Sequence, residues 1–206
     1  MRSCCSACRV SPCRLHREGG RSHFMTRRFD RTPDGRKLHM QSLAALRHFD
    51  FNAAGAYSYE QAVETIRRLD LPAADVEQQF RRAVLNLLIR NQDDHVKNIA
   101  FLMDRSGAWR LSPAFDVVYA YNPSGDWTSR HQMSLNGKRD GFDLEDLATF
   151  GAFCGFKRRR TLGLVGEIAD RVRNWPAYAA EAGVPERDVK RIEAGLRLQI
   201  IPPSVR

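Results

Sequence analysis

Between residues 73 and 90 the apolar side chains Val76, Phe80, Ala83, Val84, Leu87 and Leu88 recur at steps of four, three and one. Those steps fall on one side of a 3.6-residue turn, so the pattern predicts a buried helix over 73–90. Shorter stretches repeat the period. One is a small amphipathic helix over 41–49. Another covers 59–69 with Ala62, Val63, Ile66 and Leu69 inward, and Leu71-Pro72 ends it. Asp143 can cap a helix carrying Leu144, Leu147 and Phe150. A further helix over 160–175 turns Leu162, Val165, Ile168, Ala169 and Val172 inward, with Glu167 and Arg171 spaced as an i,i+4 pair. Pro185 opens a last helix with Val189, Ile192 and Leu196. Extended character is scarcer. It is predicted over 22–31, in an apolar run at 99–103 that returns at 109–111 as a hairpin, and over 131–135 before an Asn136-Gly137 turn. The fold class is therefore mainly α (α+β), helices with a few short strands. Residues 1–21 show neither period and are rich in Arg, Cys, Ser and Gly, which predicts a disordered segment before one domain over 22–206.

The long helix runs straight into Asn91-Gln92-Asp93-Asp94-His95-Val96-Lys97-Asn98, and the hairpin leads into Leu111-Ser112-Pro113-Ala114-Phe115-Asp116. Phosphoryl transfer needs a carboxylate to orient the attacking hydroxyl and oxygen ligands to hold magnesium across the phosphates. Asp93 and Asn98 have the D-x-x-x-x-N spacing of a catalytic loop that supplies both. A hairpin brings its two ends together, so Asn98 before it and Asp116 after it can face one ion, each with the hard oxygen that magnesium prefers. The same residues would also suit a polar turn after a helix. His95 fits either a structural or an active-site histidine, and Lys97 either a solvated charge or a phosphate contact.

Together these residues resemble HipA-type serine/threonine kinases, the toxins of bacterial type II toxin–antitoxin pairs. The likeness extends to Arg28-Phe29-Asp30-Arg31 and to 133–139, and covers the chain from about Phe24 onward. It implies a protein-kinase-like C-lobe with Asp93 as catalytic base, Asn98 and Asp116 as magnesium ligands, and His95 in support. Phe29 and Asp30 would lie at the nucleotide, by backbone at adenine and by carboxylate near the ribose. The cofactors implied are ATP and Mg2+. The partners implied are a protein substrate and a cognate antitoxin, which can itself bind DNA, in the cytoplasm. The family usually carries an acid where this chain has Arg27.

Composition narrows the picture. No run of about 18 apolar residues exists to span a membrane, and the basic N-terminus lacks the apolar core of a secretory signal. The formal charge is +9 over 206 residues. Of that, +6 lies in residues 1–36, so the rest is too mildly basic to argue for direct nucleic-acid binding. Cys5-x-x-Cys8 has half the spacing of a zinc module, but Cys4, Cys5, Cys8 and Cys13 crowd together with no apolar segment to fold around a metal. Cys154 falls in an apolar helix and is expected in the core. Lys157 to Arg160 is a charge run expected to start a solvated helix.

No G-x-G-x-x-G is present, and about 21 residues before the Phe29 segment are too few for a five-stranded lobe. The sequence thus looks like a C-lobe whose N-lobe, with the phosphate-contacting lysine, is encoded separately or cut off by the gene model. Two function classes follow. One is a truncated but catalytic kinase domain. The other is a silent remnant that only binds an antitoxin or other partner.

Overall fold

The computed structural model describes residues 8–202. Its longest elements are the helix α3 (Ala73–Leu88) and the helix α5 (Arg158–Arg173), which pack against each other. All six residues of the expected α3 stripe are at most 6% exposed. Helix α2 (Tyr59–Arg68) lies on another side of α3, and α4 (Leu144–Phe153) packs on α5. Phe80 of α3 stacks on Phe150 of α4, with ring centroids 5.6 Å apart, and meets Phe156 edge-on at the same distance. A Cβ built on Gly151 would overlap the Thr161 side chain, so the α4–α5 approach requires glycine there. Cys154 caps α4 in the core, where burial pushes its thiol up to about 12.

Caps start these helices. Ser58 and Gln61 form a reciprocal capping box on α2, and Asp143 and Asp146 form one on α4. The expected hairpin is β4 (Ala100–Met103) with β5 (Trp109–Leu111), turning at Asp104–Gly107. A third strand, β3 (His39–Ser42), pairs with β4 and so makes β4 central; it runs into the one-and-a-half-turn helix α1 (Leu43–Arg47), shorter than expected. Helix α6 (Trp175–Ala182) was not foreseen, and α7 (Glu186–Gly195) follows it with only half-buried apolar contacts. None of the described helices is long and apolar enough to cross a membrane.

Four expectations are corrected. Disorder over 1–21 fails for its described part: β1 (Cys13–Glu18) pairs antiparallel with β2 (Arg21–Thr26), and Cys8 is buried. Residues 1–7, with Cys4 and Cys5, lie outside the described residues. The extended stretch 131–135 makes no strand but only single bridges, Ser134 with Ser58 and Leu135 with Lys138 around the Asn136-Gly137 turn. Glu167 pairs with Arg81 of α3 at 2.7 Å, because a partner on the neighbouring helix outcompetes Arg171. Leu162 is half-buried, and Leu164 takes the inward position.

Candidate active site

Helix α3 ends at Ile89, and Arg90 reverses the chain in the left-handed region at φ 52°. The loop that follows closes on itself. The Asn98 amide N–H donates to the His95 carbonyl at 2.9 Å, and the Asn98 side-chain Nδ2 donates to the Asp93 carbonyl at 3.0 Å. Val96 is 2% exposed and anchors the loop; its carbonyl accepts from Ala44 N–H of α1 at 3.2 Å. The 111–117 loop is held separately. Ser112 N–H donates to the Ala100 carbonyl, and buried Arg82 of α3 donates to the Ser112 carbonyl. Ala114 N–H donates to the Arg9 carbonyl at 2.8 Å, and Arg9 also pairs with Asp75 of α3 at 2.6 Å. The described end of the supposedly disordered segment thus braces the 111–117 loop.

A single cleft is lined by His95 and Asn98 from one loop and by Phe115 and Asp116 from the other. Asp93 is bonded to Asn98 through its carbonyl, and its carboxylate lies 3.8 Å from His95 Nε2 and is 45% exposed. Asp116 is exposed, with its backbone in the left-handed region at φ 54°. Its carboxylate has no hydrogen-bonding or ionic partner among the described residues. Asn98 spends its amide nitrogen on Asp93, which leaves the amide oxygen to face a cation. Among the described residues no three His, Cys, Asp or Glu side chains cluster as a metal cage. Magnesium does not need one, because it is commonly held by one or two carboxylates plus phosphates and waters. The donor set therefore fits.

The remaining expected residues fall as follows. Phe29 packs on Phe115 with centroids 5.4 Å apart, which brings the 28–31 turn to the 111–117 loop. Asp30 is gripped by Arg28 and Arg31 at 2.6 Å each, and the Arg28 hydrogen bond holds its carboxyl below the usual range. Lys97 is exposed, its ammonium 3.4 Å from the centre of the Phe51 ring. The inner wall of the cleft carries Gln79, Arg82, Asn91 and His95, each with a buried polar atom that has no protein partner. Burial lowers the Arg82 guanidinium to about 10. Buried polar groups are normally satisfied, so this wall is prepared for a polar occupant.

Sequence reasoning passed over Asp94. It is 3% exposed and accepts from Tyr59 OH at 2.6 Å, from His131 Nδ1 at 2.8 Å and from Gln132 N–H at 2.8 Å. His131 Nε2 meets Arg197 at 2.8 Å, and Arg197 also binds Asp140. Arginine has only donors, so Nε2 accepts and the ring proton sits on Nδ1, facing Asp94.

The model of the HipA-like C-terminal domain matches residues 4–176. The chain belongs to that family. Two proteins of Sinorhizobium fredii (strain NBRC 101917 / NGR234) are similar: "Putative kinase Y4dM", 26% identical over 71% of this chain, and "Putative kinase Y4mE", 28% identical over 79%. The matches span 36% and 42% of those proteins' own lengths. The fold also matches a chain in the solved complex of the Shewanella oneidensis MR-1 toxin–antitoxin system HipA, HipB and its operator DNA. The TM-score is 0.72 at 20% identity, covering 96% of this chain and 52% of that one.

Proposed function

We propose that this chain is the C-lobe of a HipA-type serine/threonine protein kinase, which transfers the γ-phosphoryl group of ATP to a protein hydroxyl within a toxin–antitoxin pair. The observation that carries the reading is the shared cleft: Asn98 and Asp116 line it together, and the Asp116 carboxylate is uncommitted among the described residues. Asp93 accepts the proton of the attacking hydroxyl, and Asn98 and Asp116 hold the metal. When bound, magnesium neutralises charge on the phosphates. His95 backs Asp93. Asp30 is spent on two arginines, so nucleotide contact at that turn falls to Phe29 and the backbone. The "Putative kinase" relatives support the reaction class, and the complex of the Shewanella HipA with HipB supports an antitoxin partner.

The test is calorimetric titration of ATP, with and without magnesium, into the 206-residue chain and its Asp116→Asn variant. The expected result is weak, magnesium-dependent binding that Asp116→Asn removes. Equal binding by both proteins would remove Asp116 from the metal site.

A further inference from the structure

The two loops that meet at the cleft are separate in sequence, yet hydrogen bonds among residues that line its wall, one buried and three part-buried, join them. Asn91 Nδ2 donates to the Asp116 carbonyl at 3.2 Å and to Asn86 Oδ1 at 3.0 Å. Asn86 Nδ2 donates to Tyr59 Oη at 3.0 Å, and Tyr59 OH donates to Asp94 Oδ2 at 2.6 Å. Asp94 is the chain neighbour of Asp93. Asn91 is 2% exposed and Tyr59 1%, with Asn86 half-buried between them, so most of the path is shielded from water, where hydrogen bonds are strong and broken ones are costly. One end of the path meets the residue whose backbone sits at positive φ. A non-glycine residue keeps that conformation only where its surroundings over-determine it.

We infer that Tyr59, Asn86 and Asn91 are positioning residues that fix the separation of the base loop and the metal loop as one unit, with Tyr59 as the shared joint. The inference deepens the kinase reading and rests on it for the roles of Asp93 and Asp116. The coupling itself is independent of catalysis. Tyr59→Phe keeps the ring and its packing, and removes only the hydroxyl that serves both directions.

The experiment is amide hydrogen exchange on the full chain, read at 93–98 and 114–118, for the wild type, Tyr59→Phe and Ile168→Val. The last is a mild core change in α5, away from the path. Tyr59→Phe is expected to speed exchange in both loops by about tenfold, the scale of one lost buried hydrogen bond. Ile168→Val is expected to leave their difference from the surrounding core unchanged. Faster exchange confined to 93–98, or spread evenly over the molecule, would overturn the coupling. A second arm titrates Mn2+ by its paramagnetic signal. Tyr59→Phe is expected to weaken binding by about three- to tenfold through the displaced Asp116, and Asp116→Asn to abolish it. If the wild type fails to bind Mn2+, the metal-site reading falls while the exchange arm still decides the coupling.

Discussion

Asp93 and Asp94 are neighbours of identical chemistry and opposite surroundings. Asp94 faces inward and takes three donors, so it is part of the structure. Asp93 is not among the residues that line the cleft; its carboxylate is 45% exposed beside His95, which does line it, at 3.8 Å. Asp116 on the facing loop is equally unengaged. Folding commits buried polar groups to partners because leaving them bare costs free energy. A carboxylate left uncommitted at a cleft is available for chemistry instead. The loop thus divides its acids by burial, one committed to the interior network and one left exposed.

The contrast breaks most visibly at Asp94. Asp94→Leu strands Tyr59 OH, His131 and Gln132 N–H in the interior, and is expected to cost about 3–5 kcal/mol, as breaking a buried pair does. Urea denaturation checks it through the midpoint. A loss under about 1 kcal/mol would mean that the interior network does not hold the loop. Asp143 provides an intermediate case: it is a surface carboxylate with a structural task, capping α4 through Asp146 N–H at 3.0 Å. Asp143→Ala is expected to cost about 1 kcal/mol in the same assay.

Asp93→Asn and Asp116→Asn are the opposite extreme. Among the described residues Asp116 has no side-chain partner and Asp93 has the contact with His95 at 3.8 Å, so stability should move by no more than about 0.5 kcal/mol in either direction. Their effect belongs to function. Joined to a lobe that supplies the phosphate-binding lysine, Asp93→Asn is expected to lower transfer by about 100- to 10,000-fold, the range for removing a general base. A phosphorylation assay run beside the urea curve reads both quantities. Retained transfer would take Asp93 out of its role.

How much of this was legible in the sequence follows from what is local. The α3 stripe, the Asp143 cap and the β4–β5 hairpin depend on spacing and turn residues within a few positions, and they stand as read. The D-x-x-x-x-N spacing found the loop, but it could not sort Asp93 from Asp94. That sorting depends on Tyr59 and His131, 35 and 37 residues away. One cue was present: Asp94 and Val96 are two apart and both buried, as alternate positions of an extended chain would be. Arg9 and Val10 were misread for the same reason. Their order comes from Asp75 and Ala114, not from any period of their own. Arg197 returns from beyond α7 to His131, a contact across 66 residues that no window reveals.

The smallest effect concerns acid. The hydrogen bond from Arg28, with Arg31 nearby, holds the Asp30 carboxyl below its usual 3.8. A carboxyl lowered on folding contributes stability that is present above its unfolded value and lost as pH falls through the folded one. The pair is solvent-facing on the Arg28 side, which is 66% exposed, so its contribution is small and screened by salt. Arg28→Gln should therefore narrow the gap between urea midpoints measured near neutrality and below about pH 4, whereas Ile168→Val, which removes no ionisable group, should leave it as it is. If both variants narrowed it equally, the Arg28–Asp30 pair would not be the source of the acid sensitivity.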